Sequence, residues 1–115
     1  MVGTELDVHA ERLLQGGHCK AEEDIVVVQG PVGPFKFLMH IINTCIDGCS
    51  FQVIHMACGG FAFDSFVNLA LFKRVAFNDC MVKGGATLTL GQVILFNYAS
   101  TIQFPISVAS ASMVC

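Results

Sequence analysis

From residue 19 onward, short apolar and β-branched runs alternate with glycine- and proline-rich breaks. The run DIVVVQG ends at Gly30-Pro31, and the runs FKFLMHIIN and SFQVIHMAC lie on either side of TCIDGC. Runs of this length and composition are typical of β-strands. Because Asp47-Gly48 is a strong turn signal, we expect the second and third runs to form a hairpin.

The second half of the chain is less regular. The segment FAFDSFVNLALFKRVAFNDCMV fits neither the helical nor the strand period, whereas Thr87–Leu90 alternates as a strand does. The last run alternates most clearly, and Pro105 within it favours an edge position. Its apolar face consists of Ile102, Phe104, Ile106 and Val108. Together these patterns predict an all-β fold, a small antiparallel β-sandwich of about seven strands.

The first 18 residues have a different character. The stretch TELDVHAERLLQ, residues 4–15, has the spacing of a short amphipathic helix that Gly16-Gly17 would end. We therefore divide the chain into an N-terminal leader, residues 1–18, either helical or disordered, and a cysteine-rich domain, residues 19–115. The start of the chain has no apolar region that could act as a signal peptide.

The overall composition narrows the classes of protein. Of 115 residues, 54% are hydrophobic and 13% charged, with a net charge of −3. High hydrophobicity argues against disorder, and the scattered basic residues form no stripe for nucleic acid. No apolar run reaches the ~18 residues that span a bilayer, so membrane insertion is not expected. The oligomeric state is left open.

Six cysteines form an even set in a small domain, which favours a disulfide framework of up to three bonds over buried free thiols. They are Cys19, Cys45, Cys49, Cys58, Cys80 and Cys115. Fifteen connectivities are possible, and only Cys45–Cys49 has a local argument, across the expected hairpin loop. We also expect a bond from Cys115 to fasten the last strand.

Other chemistries fit less well. Cys45, Cys49, His55 and Cys58 offer a zinc set, but His55 and Cys58 are three residues apart and would point to opposite faces of a strand. None of the four histidines lies in a catalytic signature. We therefore expect no enzyme activity, no metal and no cofactor.

Four blocks of the sequence together contain all six cysteines: CKAEEDIVVVQG, INTCIDGCSFQVIHMACGGF, VNLALFKRVAFNDCMVKGGATLTLGQVILFNYAS and FPISVASASMVC. These blocks resemble the tapetum determinant family of secreted, cysteine-rich plant proteins, and all six cysteines fall where the family has them. The chain differs at Gly60, where the family often has tryptophan. It also differs at Leu69-Ala70, for proline-arginine, and at Phe77-Asn78, for tyrosine-aspartate.

The resemblance implies a secreted, apoplastic ligand for the ectodomain of a plant leucine-rich-repeat receptor kinase, one that specifies tapetum formation and limits the number of spore mother cells. For the receptor contact we select Lys73, Arg74 and Asp79, which are charges among aromatic residues in a charge-poor chain; a solvated edge is the alternative reading. One competing function is a cell-wall carbohydrate-binding module, although the chain has no Trp and one Tyr. Another is an intracellular zinc-binding protein.

Overall fold

Strands make up most of the regular structure in the computed structural model, which describes residues 19–61 and 67–115. Seven strands lie in these ranges: β1 (Ile25–Gly33), β2 (Lys36–Asn43), β3 (Ser50–Ala57), β4 (Phe72–Ala76), β5 (Asp79–Val82), β6 (Val93–Ala99) and β7 (Ser107–Val114). A short helix, α1 (Ala21–Asp24), precedes β1, and a 3-10 turn (Lys83–Gly85) follows β5. The all-β prediction is confirmed, whereas the helix predicted for residues 4–15 lies outside the described residues. No helix in the described ranges is long and apolar enough to cross a membrane.

The strands form two antiparallel sheets. The first has the order β1-β2-β6, and the second has the order β4-β5-β3-β7. A single core lies between them, in which rings from both sheets touch: Phe72 of β4 stacks on Phe96 of β6 with centroids 5.1 Å apart. Phe61 joins this cluster, its ring 4.8 Å from that of Tyr98. Apolar burial between the two sheets therefore supports the sandwich.

The predicted hairpin between β2 and β3 is wrong, because these strands belong to different sheets. The turn itself forms: the Gly48 N–H donates to the Cys45 carbonyl at 3.0 Å, and Gly48 has φ 84°. The chain then crosses to the other sheet. Fully buried Asn43 holds the crossing, donating to the carbonyls of Cys49 and Leu88 and accepting from the Cys45 N–H at 2.9–3.0 Å. These bonds satisfy backbone groups that burial would otherwise leave unpaired.

Two further strand predictions need correction. The alternating stretch Thr87–Leu90 makes only one bridge, between Leu88 and Phe51, and the regular strand starts later, at Val93. The last strand starts at Ser107 rather than near Ile102, which is 58% exposed. Its predicted edge position is confirmed, since β7 ends the four-stranded sheet.

Three disulfides join all six cysteines: Cys19–Cys45, Cys49–Cys115 and Cys58–Cys80. The expected number of bonds is present, and the bond from Cys115 does fasten the end of β7, to the residue that precedes β3. The predicted Cys45–Cys49 pair is wrong. The loop that contains both cysteines crosses between the sheets. Cys45 therefore bonds to Cys19 at the start of the cysteine-rich domain, and Cys49 bonds to Cys115 at its end.

Candidate interaction surface

Of the segment that fits neither the helical nor the strand period, residues 72–82 form a hairpin of β4 and β5 at one edge of the four-stranded sheet, and residues 62–66 lie outside the described residues. Phe72 points into the core, while Lys73 and Val75 lie on the solvent side of β4. In the turn between the strands, Phe77 is 93% exposed, an unusual position for so large an apolar side chain. We call Lys73, Val75, Phe77 and Asp79 the hairpin surface.

Arg74 is half-buried and bonds to a neighbouring loop. Its guanidinium donates to the carbonyl oxygens of Gly59 at 3.0 Å and Phe61 at 2.5 Å. The planar fork of arginine suits two acceptors held side by side. Arg74 therefore ties β4 to the loop after β3, and its role is to position the hairpin.

Asp79 is also engaged. Its Oδ1 lies 2.6 Å from His55 Nδ1 on β3, with the two side chains 34% and 26% exposed. Asn78 has φ 52°, and its side-chain oxygen accepts a hydrogen bond from the Gly59 N–H at 2.6 Å. Together with the Cys58–Cys80 bond, these contacts fix the hairpin from several sides.

Of the three charges selected from the sequence, Lys73 is exposed to solvent, Asp79 is half-buried beside His55, and Arg74 is half-buried against the loop after β3. They share one hairpin but not one face. The side chains that the sequence reasoning missed are Val75 and Phe77, both apolar and exposed. The turn chemistry was the available signal, because asparagine readily adopts the left-handed backbone that Asn78 shows.

The cysteine-and-histidine set considered for zinc is committed to other contacts. The sulfurs of Cys19, Cys45 and Cys49 lie within 4.8 Å of one another, but each belongs to a disulfide. Zinc binds thiolates, which these sulfurs are not. Cys58 is buried and bonded to Cys80, and His55 faces Asp79, so the two lie on opposite faces as strand alternation predicted.

A family model described as "Tapetum determinant 1, C-terminal" matches residues 21–115. The chain belongs to the tapetum determinant 1 family. It is 36% identical over 97 residues to TPD1 protein homolog 1 of Arabidopsis thaliana. The aligned region covers 80% of this chain and 54% of that relative. It is 33% identical over 109 residues to TPD1 protein homolog 1B of Oryza sativa subsp. japonica, and this aligned region covers 90% of this chain and 63% of that relative. The chain thus spans just over half the length of these relatives, and no solved structure matches it.

The single tyrosine of this tapetum determinant family member lies in the core. Tyr98 is fully buried; its hydroxyl donates to the Gln29 side-chain oxygen and accepts from the Phe104 N–H at 3.1 Å. Burial raises the pKa of the Tyr98 hydroxyl above its usual value, and the hydrogen bond from Phe104 lowers it by less. A ring enclosed in this way is not available as a flat platform for a sugar.

Proposed function

We propose that this chain is a secreted protein ligand of the apoplast that binds the ectodomain of a plant leucine-rich-repeat receptor kinase. Its role is to specify anther cell fate, promoting tapetum formation and limiting the number of spore mother cells. Membership of the tapetum determinant 1 family over residues 21–115 carries the proposal. The three disulfides support secretion, because such bonds form and persist in oxidising compartments.

The hairpin surface is the region we assign to the receptor. Binding energy at protein interfaces is concentrated in a few side chains, and aromatic anchors are prominent among them. Phe77 offers such an anchor, and Lys73 supplies a charge four residues away on the same hairpin. Because Arg74 and the Cys58–Cys80 bond hold the hairpin in place, little ordering cost accompanies binding. The concave face of a leucine-rich-repeat solenoid is a suitable partner for a rigid protrusion.

The test is a titration of the oxidised protein against a panel of purified plant leucine-rich-repeat receptor kinase ectodomains, read by biolayer interferometry. We expect one ectodomain to bind, and Phe77→Ala to weaken that binding by at least about tenfold, as truncation of a central anchor does. Phe35→Ala is the matched control. Phe35 is 67% exposed, but it lies between β1 and β2 in the other sheet.

A parallel pull-down on cellulose and pectin tests the carbohydrate-binding alternative. Retention on polysaccharide, together with no affinity for any ectodomain, would overturn the ligand proposal. Receptor binding that Phe77→Ala and Phe35→Ala weaken equally would leave the ligand role intact. It would, however, contradict the assignment of the hairpin surface.

A further inference from the structure

Each sheet ends in two edge strands, and three of these four edges carry features that discourage pairing with another strand. β1 contains Pro31, with a register shift between Pro31 and Gly33. β4 carries Lys73 and Arg74 and has a register shift of its own. β7 packs against α1 and is also irregular in register. Proline, charge, bulges and covering segments are the usual protection of exposed sheet edges.

Among the residues that the structure describes, β6 shows none of these features. Its seven residues, VILFNYA, include no proline and no charged side chain, and its register with β2 runs without a shift from Ile42–Val93 to Lys36–Ala99. No strand within residues 19–61 and 67–115 pairs with its other edge.

The backbone groups along this open edge can be assigned by alternation. On the β2 side, the Gln92 carbonyl accepts from Asn43, and the Ser100 N–H donates to the Phe35 carbonyl. Because the amide and carbonyl groups of an antiparallel strand alternate between its two neighbours, those of the odd-numbered residues Val93, Leu95 and Asn97 point towards the open edge. No strand of residues 19–61 and 67–115 takes up these three sets of groups, so a further strand can pair with them.

The side chains beside this edge are apolar. Val93 is 46% exposed and Leu95 51% exposed, and Leu95 lies in one cross-strand row with His40 and Val28. A strand added along β6 would pair with these backbone groups and cover part of this apolar surface.

We propose that the occupant of this edge is a second copy of the same chain, paired β6 to β6 and antiparallel about a two-fold axis at Leu95. Such an interface must be complementary to itself, because each residue meets the same surface of its partner. An uncharged strand meets this condition, whereas the charged edge of β4 would face its own like charges. The two three-stranded sheets would become one six-stranded sheet over roughly 24 Å of strand.

The test is sedimentation velocity of the oxidised full chain between about 1 and 100 µM. We expect a species of twice the 12.4 kDa chain mass, and we expect Leu95→Lys to restore the monomer. The change places two lysines close together across the axis, where like charges repel. Val28→Lys is the matched control: Val28 is 48% exposed in the same row of the same face, but it lies on β1.

The outcomes separate the alternatives. A dimer that Leu95→Lys dissociates and Val28→Lys leaves intact supports pairing through β6. A wild-type protein that is monomeric up to 100 µM overturns it, as does a dimer that Leu95→Lys leaves unchanged. Dissociation by both variants also overturns it, because stacking of two apolar sheet faces would then be the contact. If either variant fails to fold, hydrogen exchange of the wild-type protein replaces it: pairing through β6 predicts that the amides of Val93, Leu95 and Asn97 gain protection as the concentration rises, and unchanged protection there overturns it.

Discussion

Removing the Cys49–Cys115 bond tests how the last strand is held in the sandwich. β7 is an edge strand whose residues are exposed or half-buried, so side-chain burial alone secures it weakly. We choose the double variant Cys49→Ala with Cys115→Ala. A single change at Cys115 would leave a Cys49 thiol among the cluster of sulfurs within 4.8 Å, where thiol–disulfide exchange with the Cys19–Cys45 bond would confuse the result.

The expected magnitude follows from loop length. The bond closes a sequence separation of 66 residues, for which the chain-entropy relation gives about 4.4 kcal/mol. The Cys58–Cys80 bond lies inside that loop and shortens the effective length, which lowers the figure to about 4 kcal/mol. The same relation gives about 3.4 kcal/mol for Cys58–Cys80, whose separation is 22 residues.

Urea unfolding of the oxidised protein and the double variant measures the difference. With a slope of about 1.5 kcal/mol per molar urea, the midpoint should fall by about 2.5–3 M. Amide hydrogen exchange should show the first loss of protection in β7, because that strand loses its tether. A loss of less than about 1 kcal/mol, or unchanged protection in β7, would refute the view that this bond holds the strand.

Three further measurements, on two variants and on the unaltered protein, test the interior and the hairpin. Asn43→Ala should lower the free energy of unfolding in urea by about 3 kcal/mol, because it leaves buried backbone groups unpaired. The control Thr44→Ala, at an exposed position, should lower it by less than about 1 kcal/mol. Equal losses would contradict the role of Asn43 as a buried hydrogen-bond partner. Arg74→Ala should lower the free energy of unfolding by about 1–2 kcal/mol and increase hydrogen exchange in the hairpin. The control Lys73→Ala should lower it by about 0.5 kcal/mol or less. Similar losses for the two variants would argue against the role of Arg74 in positioning the hairpin. An absorbance titration should show that Tyr98, the single tyrosine, ionises above the usual tyrosine pKa of about 10. Its contribution to the free energy of unfolding should therefore be fully present below pH ~10 and be lost as the pH rises through the pKa of the folded state. A titration midpoint at or below ~10 would contradict the burial argument.

The strands were predictable where alternation and turn residues agree. β1, β2 and β3 fall where the β-branched runs lie, and Gly48 turns as expected. What the residues could not show is which strands pair. A turn signal between two strands reports a change of direction, but the crossing between sheets depends on Asn43, whose partners Cys49 and Leu88 are 6 and 45 residues away.

The alternation itself misleads where the backbone bulges. In β3, Phe51 and Ile54 are both buried although they are three residues apart, and the register slips between Gln52 and His55. Val53, between them, has φ 51°, which is rare for a β-branched residue. A bulge inserts one extra residue and reverses the faces beyond it. No local pattern announces it, because its cause is the need to bury Phe51, Ile54 and Met56 in one core.

The three disulfides lie at two opposite ends of the four-stranded sheet, and the hairpin surface lies at one of these ends. Cys49 precedes β3 and Cys58 follows it, so the eight residues of that strand, roughly 26 Å, separate the two regions. At the first end, one loop holds both ends of the cysteine-rich domain, through Cys45 and Cys49. At the other end, Cys58–Cys80 lies directly beneath the turn that displays Phe77. The Cys19–Cys45 and Cys49–Cys115 bonds thus hold the ends of the cysteine-rich domain, while the Cys58–Cys80 bond keeps the hairpin rigid. Substitutions at the hairpin surface can therefore change the partner without loosening the disulfide framework.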